Sequence, residues 1–236
     1  NAVIDSLEVE NPEPILGDTS ELTAEEIKTR AYASFASQNR AVTRTDYISL
    51  SYRMPNGFGK VKRVNIIQDP RSTRRNLNLY VLAENVNGKF AAPTTQLKTN
   101  LKSWLDRYRM INDSVDILDG KIINYGIEFE VIAETDSNRF EVLNNCVTRL
   151  KEKLLNVANE MGEPVYLTEI FKHLNSVPGV VDTTAVKLIN KTGGSYSSFN
   201  YEIEKNLSSD GRFLAIPSDA VADILFPDDD ISGVIK

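Results

Sequence analysis

Residues 122–161 read IINYGIEFEVIAETDSNRFEVLNNCVTRLKEKLLNVANEM, and two periodicities meet inside that stretch. Ile127, Phe129 and Val131 alternate with Glu128 and Glu130, the pattern of a strand with one face in solvent. From Phe140 the period changes. Leu143, Val147, Leu150, Leu154, Val157 and Met161 follow at alternating intervals of three and four, a strict heptad line. The spacing predicts a helix over about residues 138–161, roughly 36 Å long at 1.5 Å per residue. Gly162 and Pro164 end it. Val142, Cys146, Leu155 and Ala158 widen the apolar stripe beyond two positions in seven, which suits packing across a sheet. A subunit seam is the alternative, although Lys151, Glu152, Lys153 and Glu160 supply no clear charge code for a helical partner. A half-wet strand followed by a long amphipathic helix sets the class as α+β.

Upstream, Val115 and Ile117 lead through an Asp119–Gly120 turn into that strand, and Val61–Ile67 and Leu77–Leu82 read as two more. Leu97, Leu101, Trp104, Leu105, Tyr108 and Ile111, following Pro93, predict an amphipathic helix. Thr23 and Glu26 have capping-box spacing before Ile27, Ala31, Ser34 and Phe35. Thr43 or Thr45, with Asp46, opens a second helix carrying Tyr47, Ile48 and Leu50, and Pro55–Asn56–Gly57 closes it. Residues 1–20 hold Val3, Ile4, Leu7 and Val9 as a short extended piece, then Pro12 and Pro14. Downstream come a short helix with Ile170, Phe171 and Leu174, a strand over 180–189, and a Gly193–Gly194 loop. Tyr201 and Ile203 are expected to form a closing hairpin with Phe213–Ile216, and Ser218 to cap a last short helix before Pro227. The expected architecture is an N-terminal helical segment followed by mixed or antiparallel sheets with long helices on one face. Its expected divisions are 1–57 (extended segment and helical pair), 58–136 (first α/β subdomain) and 137–236 (second α+β subdomain with a C-terminal hairpin and tail).

The chain has 236 residues, 33 acidic and 27 basic, and a net charge of -6. That length buries a sizeable core without disulfides or metals. An acidic balance argues against a nucleic-acid coat, which shows a basic excess. One cysteine excludes an intramolecular disulfide, and one histidine excludes most multi-histidine metal sites. The longest apolar runs, such as Val131–Ala133, are too short to span a bilayer, and no signal peptide is visible. The opening Asn1 in place of methionine suggests a fragment of a longer polypeptide.

Catalytic chemistry finds little purchase. His173 is the sole imidazole and has no nucleophile signature beside it. Cys146 reads as a packed thiol. Gly57–Phe58–Gly59 lacks the third glycine and the following helix of a dinucleotide loop, and no Walker ending occurs. Asp228–Asp229–Asp230 lacks the alternating ligands of a calcium loop and reads as an exposed acidic turn. No catalytic, cofactor-binding or metal-binding residue is assigned, and no cofactor is expected. A hydrolase would need a carboxylate pair formed only in three dimensions. Lys60, Lys62, Arg63, Arg71, Arg74 and Arg75 cluster within sixteen residues containing one acid, Asp69. They support an alternative function, a phosphate- or nucleic-acid-binding module, or else a charged strand edge. For a partner interface, the candidates are Tyr196, Phe199, Tyr201 and Phe226 together with Arg71, Arg74 and Arg75. The aromatics could equally be core residues.

Several segments in order carry a resemblance. Thr23-Ala24-Glu25-Glu26-Ile27, Arg40-Ala41-Val42-Thr43-Arg44-Thr45-Asp46-Tyr47 and Gly59-Lys60-Val61-Lys62-Arg63-Val64 come first. A strand at 77–83, Pro93 opening a helix through Leu97 and Leu101 to Tyr108, and a strand near 122–132 follow. Tyr166-Leu167-Thr168-Glu169-Ile170 and Pro178-Gly179-Val180-Val181 complete the set. Over about residues 20–190 the chain resembles the baseplate J-like family of contractile-tail proteins, in particular the C-terminal part of the baseplate wedge proteins of T4-like phages. The resemblance implies a non-enzymatic structural protein of the virion's tail baseplate, assembled in the host cytoplasm. It implies homodimers arranged as a ring of dimers around the hub, and contacts with other baseplate wedge proteins, with no membrane partner.

Overall fold

The computed structural model describes residues 40–69, 72, 76–154 and 159–236, together with residues 24, 27, 28, 31 and 32. The chain divides into two units, Asn1–Asp119 and Gly120–Lys236, each with its own buried apolar cluster. The boundaries expected at 57/58 and 136/137 fall inside these units. The capping box expected at Thr23 and Glu26 lies outside the described residues.

In the first unit, helix α1 (Arg44–Tyr52) begins where its cap dictates. Of the two threonines left open by the sequence, Thr43 is the cap. Its hydroxyl accepts the Asp46 amide at 3.2 Å, and the Asp46 carboxylate accepts the amides of Thr43 (2.8 Å) and Val42 (3.1 Å). Burial alone would raise the Asp46 carboxyl. The Thr43 and Val42 amides, the Thr43 hydroxyl and the Arg40 charge outweigh it and hold the group below its ordinary value. One residue on, Tyr47 is 1% exposed and its hydroxyl donates to Asp113 at 2.7 Å.

Strand β1 (Arg63–Gln68) runs antiparallel to β2 (Asn76–Glu84), whose end pairs with the short β3 (Phe90–Ala91). Helix α2 (Thr95–Leu105) then returns the chain to β4 (Ser114–Asp119), parallel to β2. Leu77, Leu79, Val81 and Ala83 of β2 enter the core with Leu97, Leu101 and Leu105 of α2. Each fully buried leucine contributes about 1.5–3 kcal/mol. The Trp104 indole donates to the Leu50 carbonyl (2.8 Å), joining α2 to α1. Helix α2 stops at Leu105, six residues before the expected Ile111, and Ile111 is 96% exposed. The cause is a competing partner. The Tyr108 carbonyl accepts the Ala41 amide (2.9 Å), while Arg109 donates to the Asp106 carboxylate and the Asp113 carbonyl, both at 2.6 Å.

In the second unit, β5 (Lys121–Ala133) is the axis. It pairs antiparallel with β7 (Val180–Asn190) and parallel with β9 (Ala220–Asp223) and then β10 (Ile231–Ile235). Ile127, Phe129 and Val131 are buried and Glu128 is exposed, as the alternation predicts. Helix α3 (Arg139–Leu154) and helix α4 (Leu167–Asn175) cover the apolar face. The fold class is therefore α+β with mixed sheets.

Three expectations are corrected. The α3 residues buried deepest are Val142, Cys146 and Leu150, whereas Phe140, at the head of the heptad line, is 86% exposed. The described part of α3 runs to Leu154, residues 155–158 lie outside the described residues, and Met161 sits in a turn. A helix on a sheet buries a broad stripe whose centre need not follow a heptad line. The expected closing hairpin is shortened and shifted: residues Ile203–Asn206 form a short helix, α5, only Leu207 bridges back antiparallel to Leu214, and β8 (Phe213–Leu214) pairs on its other side with β6 (Val165–Tyr166). Ser218 caps no helix; it sits in a turn before β9. The last strand, β10, was not anticipated because Gly233 interrupts its apolar pattern. The Phe129 ring of β5 fills the place a side chain would take there.

Gly233→Ala is expected to lower stability by about 1–3 kcal/mol, read as a lower urea midpoint at unchanged slope. The Asp46 contribution has a defined sign. Its folded value lies below the 3.8 of the free group, so its stabilisation is present above pH about 4 and lost as pH falls through the folded value. Stability curves of wild type and Asp46→Asn should converge below pH about 4, and curves that stay parallel there would contradict the assignment.

Candidate assembly surface

The four aromatic candidates fall in the second unit, where they form two pairs. Tyr196 meets Phe226 edge-on, with ring centroids 5.4 Å apart at 83°. Phe199 lies over Tyr201 at 6.3 Å and 25°. Tyr201 is 7% exposed and donates its hydroxyl to the Ala215 carbonyl (2.6 Å), so its ring belongs to the core cluster. Tyr196 and Phe199 are half-buried, and Phe226 is 40% exposed. Lys121 extends over the Phe199 ring, 5.0 Å from its centroid, and pairs with Asp219 at 2.7 Å.

A buried carboxylate organises the first pair. Pro227 opens the one-turn helix α6 (Pro227–Asp230), and the Phe226 carbonyl accepts the amides of Asp229 (3.0 Å) and Asp230 (2.8 Å). The Asp230 side chain folds back to accept the Phe226 amide (2.9 Å) and the Tyr196 hydroxyl (2.7 Å), with the Lys191 ammonium at 3.6 Å. The reading of three exposed acids is thus corrected at its third member. Asp230 is 2% exposed because it has these donors, while Asp228 and Asp229 stay exposed. Asp228 pairs with Lys151 at 2.6 Å, which holds its carboxyl below the ordinary range. The hydrogen bond to Asp230, aided by burial and the charges of Asp230 and Asp229, pushes the Tyr196 phenol up to about 12.

The loop bearing Tyr196 is fixed at its base as well. Asn124 of β5 accepts the Lys191 amide on its carbonyl (3.0 Å) and the Ser197 amide on its side chain (2.8 Å). Gly193 and Gly194, at φ of 80° and 60°, make the reversal between them. Asp230, Lys191 and Asn124 were missed from sequence. The one local signal was Pro227 starting a turn that ends directly on the apolar run of β10.

The basic candidates belong to the first unit. Lys62 pairs with Glu84 at 3.3 Å, with side chains 16% and 3% exposed. Arg63 is buried, with Nη1 donating to the Lys62 carbonyl (2.8 Å). Lys60 is half-buried. Arg71, Arg74 and Arg75 lie outside the described residues. Nearby, an open hollow of about 410 Å³ is lined by Asn76, Lys98, Lys102 and Asp116 among others. Its polar groups engage one another: Asn76 donates to Asp116 (3.0 Å), and Lys98 pairs with Asp119 (2.9 Å) at its margin.

His173 is half-buried on α4. Burial lowers its imidazole pKa, Glu169 opposes that, and Lys153, Arg149 and Lys172 reinforce it. Cys146 is buried, and burial pushes its thiol up to about 11, which disfavours the thiolate. Among the described residues, no three His, Cys, Asp or Glu side chains are placed to hold a metal ion. No helix among them is long and apolar enough to cross a membrane.

The chain matches no protein-family model and no curated protein. Among solved structures it is similar to a chain in the cryo-EM structure of the anti-feeding prophage (AFP) baseplate, 6-fold symmetrised. The TM-score is 0.51 at 13% identity, over 86% of this chain and 42% of that one. This chain therefore spans less than half the length of that neighbour, and the likeness is one of fold.

Tyr196 titrates from about 12 in the fold against 10.0 for the free group. Its stabilising bond is fully present below pH about 10 and lost as pH rises through about 12. Tyr196→Phe should flatten that part of the alkaline stability curve, measured by chemical denaturation between pH 9 and 12. An unchanged alkaline slope would contradict the Asp230 bond.

Proposed function

We propose that this chain is a structural component of a contractile-tail baseplate. The fold likeness to the anti-feeding prophage baseplate chain carries the proposal, since it extends over 86% of the chain. The ordered sequence segments resembling the baseplate J-like family point the same way. The side chains that could do chemistry also have architectural work in the described structure. Asp230 and Asp113 take phenol hydroxyls, Lys62 holds Glu84, and Cys146 packs in the core.

In finer terms, the chain is a wedge-type protein that self-associates and binds other baseplate proteins, joining wedges into a ring around the hub. It acts non-enzymatically in the virion's tail after assembly in the host cytoplasm. The aromatic pair Tyr196–Phe226, tied to Asp230, and the exposed Ile111 are apolar features of the kind that anchor partners. The phosphate-binding alternative rests on Arg71, Arg74 and Arg75, because Lys62 and Arg63 are engaged within the first unit.

Cryo-EM of contractile-tail particles from the organism that encodes the chain should show its fold in the baseplate. A complete baseplate lacking it would refute the assignment. Light scattering after gel filtration should give a dimer at high micromolar concentration, and a strict monomer there would remove self-association by this chain.

A further inference from the structure

We propose that Asn56 is a site of spontaneous deamidation, placed in the connection between α1 and β1, while the fold protects the same dipeptide at Asn87.

The chain contains Asn-Gly twice, at Asn56–Gly57 and Asn87–Gly88. With no Cβ, the glycine leaves its main-chain nitrogen unshielded, so that nitrogen can reach the carbonyl carbon of the preceding side chain. The glycine amide first loses its proton to hydroxide, and its nitrogen bonds to the asparagine Cγ. The Cγ–Nδ2 bond breaks, and Nδ2 takes a proton from water and leaves as ammonia. A five-membered succinimide remains. Water then opens the ring at either carbonyl, giving aspartate or isoaspartate. One water enters and one ammonia leaves, with no oxidant or reductant.

A folded chain allows this where the main-chain N–H is free to ionise and the asparagine backbone can rotate until nitrogen and carbon meet. Both dipeptides are exposed, so water reaches each. Their surroundings differ. Asn56–Phe58 is a single 3₁₀ turn. Two main-chain hydrogen bonds hold it, from the Phe58 amide to the Pro55 carbonyl (2.9 Å) and from the Gly59 amide to the Asn56 carbonyl (3.1 Å). Among the described residues, neither the Gly57 amide nor the Asn56 carboxamide has a hydrogen-bond partner. Beyond the chain neighbours, no atom lies within 4 Å of the place a Gly57 side chain would take. The ring can close there without displacing anything.

Asn87–Gly88 is tied at each of those points. The Gly88 amide donates to the Asn85 carbonyl (3.0 Å), which opposes its ionisation. The Asn85 side chain accepts the amides of Asn87 (3.0 Å) and Lys89 (2.9 Å). The Asn85 amide donates to the Lys89 carbonyl (2.9 Å), where β2 turns into β3. The Glu84 carboxylate lies 3.6 Å from the side-chain position of Gly88, and its negative charge disfavours an anionic amide beside it. Rotating Asn87 into the reactive conformation breaks this set. Rotating Asn56 gives up one exposed turn.

The products change the connection. Isoaspartate carries the main chain through the former side-chain carbon, adding a methylene to the turn whose Phe58 carbonyl accepts the Asn100 carboxamide of α2 (3.0 Å). Either product also adds a negative charge shortly before Lys60, Lys62 and Arg63 in the sequence.

The test is peptide mass mapping of the full chain held at mildly alkaline pH, both folded and in urea. In urea the two dipeptides should convert at similar rates, because only local sequence then acts. In the folded chain Asn87 should convert at least about fivefold more slowly than Asn56, the factor that one main-chain hydrogen bond is worth. Isoaspartate among the Asn56 products identifies the succinimide route, and aspartate alone contradicts it. A folded-state rate at Asn56 equal to or below that at Asn87 overturns the proposal. So does an Asn56 that stays intact in the folded chain while the urea sample converts.

Discussion

Strand β5 has to satisfy backbone hydrogen bonds over thirteen residues, buried on both faces from Ile123 to Ile127 and on one face beyond. The rest of the second unit answers that demand. Strand β7 takes one side, β9 and β10 divide the parallel pairings, and α3 and α4 close the apolar face. Buried amides and carbonyls without partners are costly, so a strand this long recruits segments from far along the chain. That is why residues 220–235 return to pair with residues 121–131. The short turn of α6 fits between β9 and β10 because Asp230 binds back to its own Phe226 amide.

The first unit solves a smaller version of the same problem with side chains. Arg44 and Tyr52 of α1 occupy the outer edge of β1, and Tyr47 carries a hydroxyl into the core to meet Asp113. A ring that buries its area while keeping its hydroxyl paired combines apolar packing with a specific polar match. The segment Arg40–Tyr47 is thus a joint: Ala41 bridges to Arg109, Thr43 and Asp46 cap the helix, and Tyr47 fixes its depth. Thr43, Asp46 and Tyr47 were singled out in sequence, and the geometry gives each of these three an architectural role.

Much of the architecture was legible because periodicity is local. Strand β5 and helices α2, α3 and α4 follow from spacing, and Thr43 with Asp46 announces α1. The failures have a common cause. Helix α2 loses Ile111 because Ala41 claims the Tyr108 carbonyl. The hairpin expected from Tyr201 and Phe213 shrinks to a Leu207–Leu214 bridge because Ile203–Asn206 turn into a helix, and β10 went unseen because its glycine is complemented by a ring a hundred residues away. The candidate surface was half legible: four aromatics were marked, and the structure joins them in pairs, but Asp230 looked like one of three solvated acids.

The sequence alone determined the α+β class, the amphipathic elements and the scarcity of titrating groups near neutral pH, because each follows from side-chain type and short-range spacing. Tertiary structure decided which face of α3 is buried, which strand edges are covered among the described residues, and that Asp230 is buried while Asp228 and Asp229 are not. Those outcomes depend on partners distant in the chain. A carboxylate is buried or solvated according to the donors that reach it, and an edge is open or closed according to what packs beside it.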